Sequence, residues 1–108
     1  KPDLVLCPST EDLHQDHQVV AREALRAFKR RSVLAYEVPW NNIQFRSGGF
    51  AILEQRHVDA KVAAVAQYDS QTDRAYAKRD FLEAQMRFRG TQIGTEFAET
   101  FDIVRWLI

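Results

Sequence analysis

Apolar and polar positions follow two different periods in the first part of the chain. Residues 4–7 form a short apolar run that is typical of a buried strand. Pro8 and the polar residues after it end this strand, and apolar residues then recur at helical spacing from about 16 to 31. A second β-favouring run, 32–37, stops before Pro39. This pattern predicts a strand–helix–strand unit that is parallel and right-handed.

The rest of the chain predicts a short strand at 50–53, two helices separated by a break at 69–72, and a closing strand at 98–108. The second of these helices is expected to end at Gly90. We therefore expect one domain, 1–108, with an α/β fold: a Rossmann-like layered parallel sheet with flanking helices. The positions that keep helical spacing are Val58, Val62 and Val65, then Ala77, Phe81, Ala84 and Phe88.

Composition narrows the classes of partner. The 108 residues are 45% hydrophobic and carry a formal net charge of zero, so no overall field attracts nucleic acid. No apolar run approaches the roughly 20 residues that span a bilayer, and no signal peptide is visible, which favours a cytoplasmic protein. The single Cys7 forms no internal disulfide and no thiolate metal cage, so any metal is expected to have nitrogen and oxygen ligands.

The beginning of the chain is unusual. Lys1-Pro2-Asp3 stands where an initiator Met is expected, and the first strand follows at once. We expect either a processed chain or a piece of a longer protein.

The densest polar cluster, Asp12-Leu13-His14-Gln15-Asp16-His17, lies where the first strand leads into its helix. Ligands of open parallel α/β sheets bind outside the carboxyl ends of strands, and this loop has that position. The i, i+3 spacing of His14 and His17 is compatible with a zinc or acid–base site. The same residues also fit a capped helix start with solvated side chains, and spacing alone does not separate the two interpretations.

The motifs resemble the C-terminal half of the PIG-L/LmbE family of zinc-dependent N-deacetylases. Residues 2–9, followed by Asp12-x-His14-x-Asp16-His17 and a helix, are similar to the second conserved block of that family. The later landmarks agree in order and spacing over essentially the whole chain. These landmarks are Glu37-Val38-Pro39-Trp40, Lys61 with Ser70-Gln71, Arg89-Gly90-x-x-x-Gly94, and Phe97-Ala98-Glu99-x-Phe101.

The resemblance implies a role for each residue of the motif. His17 matches a zinc ligand, and His14 matches the histidine that faces the substrate carbonyl and stabilises the oxyanion or protonates the leaving amine. Asp16 matches the carboxylate that orients and tunes this histidine. Asp12 stands at a position that varies in the family and receives no role. The implied reaction removes an N-acetyl group from an N-acetylglucosamine-type conjugate with Zn²⁺ as cofactor.

One departure from the family pattern is informative. The family's N-terminal Ala-His-Pro-Asp-Asp-Glu element supplies two further zinc ligands and the general base, and this chain has no His-Pro and no Asp-Asp pair. A catalytic zinc usually has three protein ligands plus water. We therefore expect an incomplete zinc site and activity only with the missing N-terminal half or another subunit. The incomplete sheet is expected to expose an edge and apolar faces, which favours self-association or pairing with that half.

Several alternatives stay open. Trp40 is a candidate for stacking on a sugar ring, against simple loop packing. Cys7 is better interpreted as a buried thiol than as a nucleophile, and His57 as a solvated or capping residue than as a ligand. The chain as a whole also fits a non-catalytic α/β scaffold, or a fragment of an unrelated α/β family.

Overall fold

The computed structural model describes residues 1–68, 74 and 78–108. Each strand and helix that the sequence predicts is present and in the predicted order. The expected break at 69–72, Ser70-Gln71 and Ala77 lie outside the described residues. The elements are β1 (Leu4–Pro8), α1 (Gln15–Ala27), β2 (Ser32–Tyr36), β3 (Gly49–Leu53), α2 (Gln55–Val65), α3 (Arg79–Gln92) and β4 (Phe97–Arg105).

The four strands form a mixed sheet in the order β1-β2-β4-β3. β1 and β2 are parallel, as the strand–helix–strand pattern predicts, with Leu4 opposite Ser32 and Pro8 opposite Tyr36. The expectation of a parallel sheet is wrong for β2 and β4, which are antiparallel, with a register shift between Val33 and Leu34. Apolar periodicity reports which residues are buried and not the direction in which a strand enters the sheet. The fold shown is therefore α/β with one parallel pair.

The chain divides into two compact units. The first contains residues 1–49 and 100–108. In it α1 packs against β1, and the side chains buried there are small or β-branched, as close helix–strand packing favours. They are Cys7, Ala21, Val33, Ala35 and Val38.

α1 ends earlier than its sequence pattern predicts. The helix stops at Ala27, and Phe28 has the non-helical φ of −111° and ψ of 46°. The Arg105 guanidinium in β4 donates to the carbonyl oxygen of Phe28 at 2.8 Å. A cation from a distant strand thus donates to a carbonyl at the helix end, which also accepts from the Arg31 amide at 3.1 Å.

β1 is one of the two edge strands of the described sheet. Its Leu4 and Leu6 point to one face and are 43% and 55% exposed, and Val19 and Val20 of α1 are 55% and 51% exposed. Edge strands with apolar side chains tend to pair with another chain segment. The structure therefore has the exposed edge and apolar surface that the sequence led us to expect.

The second unit contains residues 50–99. Its core consists of Val58, Leu82, Met86 and Phe97, which are at most 4% exposed. Further apolar side chains from β3, α2 and α3 pack around this core: Leu53, Val62, Val65 and Phe81.

Lys61 of α2 and Glu99 of β4 form a half-buried ion pair within this unit. Both residues are landmarks of the family resemblance. Their contact joins a helix to a strand, which indicates a structural role for the two landmarks.

Gly90 does not end α3, which continues to Gln92. The glycine with positive φ is Gly94, at 76°. Gly90 instead lies against the backbone that leads into β4, because a Cβ there would stand 2.7 Å from the carbonyl oxygens of Thr95 and Glu96. Its position in the sequence suggests a helix end, whereas the structure shows a close approach of two backbone segments.

We predict that Gly90→Ala lowers the free energy of unfolding by roughly 1–3 kcal/mol, because backbone atoms cannot move aside as a flexible side chain does. The matched control is Gly48→Ala, where an added Cβ meets nothing within 4 Å, and we expect a change within about 0.5 kcal/mol. Chemical denaturation of the two variants measures both values. Equal stability of the two variants would contradict the close approach at Gly90.

Candidate functional site

A tight turn after β1 brings Asp12 into the protein interior. The Asp12 amide donates to the Ser9 carbonyl oxygen at 3.1 Å, and the Glu11 amide donates to Ser9 Oγ at 3.0 Å. Ser9 is 1% exposed and Asp12 is 0% exposed. A carboxylate is costly to bury unless its oxygens accept hydrogen bonds, so the partners of Asp12 decide what it does.

Both carboxylate oxygens of Asp12 have a histidine as partner. Oδ1 accepts from the backbone amide of His14 at 2.8 Å, and Oδ2 lies 2.8 Å from Nδ1 of His17. The first contact holds the residue that begins the helix, and the second holds an imidazole in the first turn of that helix. Asp12 therefore positions both histidines of the motif.

His14 is the N-cap of α1. Its φ of −71° and ψ of 126° are extended, and its Nδ1 accepts from the Asp16 amide at 3.1 Å. The His14 and His17 rings are stacked, with centroids 4.4 Å apart and an angle of 21° between their planes. The i, i+3 spacing thus brings the two imidazoles together, as the sequence indicates.

Asp16 contacts His14 through its backbone amide. Its side chain is exposed in the first helical turn, where a negative charge interacts favourably with the helix dipole. The orienting role of its carboxylate stays a prediction.

The loop after β2 lies beside this motif. The Leu13 amide donates to the Asn41 carbonyl oxygen at 2.9 Å, and the Val38 amide donates to Asn42 Oδ1 at 3.0 Å. These bonds bring the loop that carries Trp40 to the same end of β1 and β2 as the histidines. The Trp40 side chain is 48% exposed. Stacking of Trp40 on a sugar ring stays a prediction.

Tyr36 and Cys7 lie at the ends of the two parallel strands. Burial, and then electrostatic repulsion from the Cys7 thiolate, where it forms, and from the Asp12 carboxylate, raise the pKa of the Tyr36 phenol. Burial raises the pKa of the Cys7 thiol, so this side chain stays protonated at pH values where an exposed thiol ionises. This fits the interpretation of Cys7 as a structural residue.

The sequence places Asp12 in the polar cluster without assigning it a role, and it does not single out Tyr36. The signal for Asp12 is the Asp-x-His pattern, since an aspartate often accepts from the amide two residues later. Its contact with His17, five residues away, depends on the turn that carries the chain into the helix. Tyr36 has no signal of its own, because only the parallel pairing of β1 and β2 brings it near Asp12.

His57 is a capping residue, as predicted. Its Nδ1 accepts from the Glu54 amide at 2.9 Å at the beginning of α2. Over residues 1–68, 74 and 78–108, no group of three or more His, Cys, Asp or Glu side chains is arranged to hold a metal ion. No helix in the same ranges combines the length and apolar character that crossing a membrane requires.

Comparison with protein-family models gives no match, and comparison with curated protein sequences gives none that is significant. The chemistry of the site is therefore argued from its residues and from the motif resemblance.

We predict that Cys7 reacts slowly with iodoacetamide in the folded chain. Its side chain is 3% exposed and its raised pKa shifts thiolate formation, and with it the rising part of the pH–rate curve, to higher pH. Alkylation measured by mass spectrometry between neutral and alkaline pH gives this curve. The control is the same chain in guanidinium chloride, and equal rates in the folded and unfolded chains would argue for an accessible, ionised thiol.

Proposed function

We propose that this chain carries one half of the active site of a zinc-dependent deacetylase, which removes the N-acetyl group from an N-acetylglucosamine-type conjugate. The observation that carries the proposal is the pair of stacked imidazoles, His14 and His17, at the carboxyl end of β1, with His17 hydrogen-bonded to the buried Asp12. The motif resemblance supplies the reaction class.

His17 fits a zinc ligand. Metal-binding histidines almost always hydrogen-bond through their other ring nitrogen to a carboxylate, carbonyl or water, and Asp12 is such a partner on Nδ1. One histidine is not a catalytic site, and the described residues do not contain a group of three ligands. The remaining ligands and the general base are assigned to the His-Pro-Asp-Asp element of a missing N-terminal half, covalent or in another subunit. Bound zinc supplies polarisation of the amide carbonyl and activation of water.

His14 binds the reacting amide. Because its ring lies on that of His17, a carbonyl near the metal stands within reach of His14. It stabilises the oxyanion or protonates the leaving amine, and Asp16 orients it. Trp40, on the adjoining loop, stacks on the sugar ring.

The exposed apolar edge supports a partner for this chain. Leu4 and Leu6 form an exposed apolar surface on the edge strand β1, and Val19 and Val20 of α1 are exposed as well. The missing half, or a second copy of the chain, covers this surface and continues the sheet into a Rossmann-like arrangement.

The second candidate is a non-catalytic α/β scaffold or ligand-binding module. The observation in its favour is that residues 1–68, 74 and 78–108 contain no group of three metal ligands. A His-Pro-Asp-Asp element in the coding sequence immediately upstream would favour the deacetylase over the non-catalytic module.

We predict weak zinc binding by this chain alone, through His17. Titration calorimetry of Zn²⁺ into the metal-free chain measures the affinity, and His17→Ala is expected to remove the binding. The matched control is His57→Ala, because His57 caps a different helix and is expected to leave the affinity unchanged. Stoichiometric zinc, bound tightly and lost in the His17 variant, would mean that a complete site is assembled without the missing half.

We predict that the chain joined to its upstream half releases acetate from N-acetylglucosamine conjugates, and that His14→Asn lowers kcat roughly a hundredfold to a thousandfold. Asparagine is a good N-cap, so this variant keeps the helix start and removes only the imidazole. The control is Glu11→Gln, which changes a neighbouring exposed carboxylate. Unchanged kcat in the His14 variant, with acetate release still zinc-dependent, would show that His14 is not catalytic.

A further inference from the structure

We infer that Asp12 and the Asp16 amide hold His17 and His14 in opposite neutral tautomers, and that Asp12 is the positioning residue that leaves Nε2 of His17 free for a cation. The tautomers follow from hydrogen bonds within this chain. Only the use of Nε2 as a zinc ligand rests on the proposed function.

The tautomer of His17 follows from the chemistry of its partner. Oδ2 of Asp12 lies 2.8 Å from His17 Nδ1, and Asp12 is 0% exposed. Oδ1 of the same group already accepts from the His14 amide. An ionised carboxylate only accepts hydrogen bonds, so Nδ1 of His17 is the donor. A neutral imidazole has one ring proton, and with that proton on Nδ1 the lone pair of His17 is on Nε2.

The tautomer of His14 is the opposite one. Its Nδ1 accepts from the backbone amide of Asp16 at 3.1 Å, so Nδ1 carries the lone pair. The ring proton is then on Nε2. The backbone of the first helical turn imposes this choice, because an amide can only donate.

The stacked pair therefore offers two complementary atoms. His17 presents a lone pair and His14 presents an N–H group, on rings whose centroids are 4.4 Å apart. A divalent cation on the first and a carbonyl or anionic oxygen on the second form the combination that amide hydrolysis requires. Both groups depend on Asp12, since one of its oxygens fixes the beginning of the helix and the other fixes the ring.

The test is long-range ¹H–¹⁵N NMR of the metal-free chain in mildly alkaline buffer, which reports the protonated nitrogen of each imidazole. We expect the proton on Nδ1 in His17 and on Nε2 in His14. His17 protonated on Nε2, or an even mixture of its tautomers, would overturn the inference before any variant is made.

The variant Asp12→Asn tests directly whether Asp12 sets the tautomer of His17. The asparagine oxygen still accepts from the His14 amide, which preserves the helix start, and its NH₂ group then faces His17 Nδ1. Because that group donates, His17 is expected to switch to the Nε2–H tautomer while His14 is unchanged. Glu11→Gln is the matched control and leaves both tautomers as they are. A His17 tautomer that does not respond to Asp12→Asn would show that Asp12 does not set it.

A second arm separates this inference from the proposed function. Excess Zn²⁺ added to the native chain is expected to shift the Nε2 resonance of His17. Asp12→Asn is expected to raise the zinc concentration needed for this shift about ten- to a hundredfold, because the metal affinity falls. The expected tautomers without any zinc response at His17 would uphold the positioning role of Asp12 and overturn the zinc site. A zinc response at His17 Nδ1 would overturn the inference and leave the zinc site in place.

Discussion

The buried carboxylate of Asp12 connects the loop after β1 to the first turn of α1. Without partners, a carboxylate at 0% exposure carries a desolvation penalty of several kcal/mol. Two charge-assisted hydrogen bonds, to the His14 amide and to His17 Nδ1, offset this penalty. The loop, the helix start and both imidazole rings therefore form one arrangement, and the chemistry proposed for the motif depends on it.

The fold places this arrangement where an α/β sheet usually binds ligands. The parallel pairing of β1 and β2 brings the loops at their carboxyl ends side by side, and a hydrogen bond from Leu13 to Asn41 joins them. The result is one surface with two histidines, a buried carboxylate and the Trp40 loop. The proposed N-terminal half would have to bring its ligands to this end of the sheet, and β1 offers an edge strand with which it could pair.

Contacts between residues far apart in sequence decide several features that have a local explanation at first sight. The Phe28 carbonyl oxygen at the end of α1 accepts from Arg105, 77 positions away, as well as from the nearby Arg31 amide. Gly90 is required by the backbone of the following turn and not by a helix end. Lys61 and Glu99 pair across 38 positions, so the two landmarks stabilise the second unit.

The amino-acid sequence by itself determined the strands, the helices and their order, because each follows from apolar spacing, caps and turn residues that act over a few positions. It also brought His14 and His17 together, since an i, i+3 spacing at a helix start places two side chains on one face. The tertiary structure alone decided that β4 runs antiparallel to β2, that Tyr36 lies near Asp12, and that Asp12 is buried against His17. The physical reason is that burial, strand direction and the partners of a carboxylate depend on which distant segments fold against each other, and a local pattern does not contain this information.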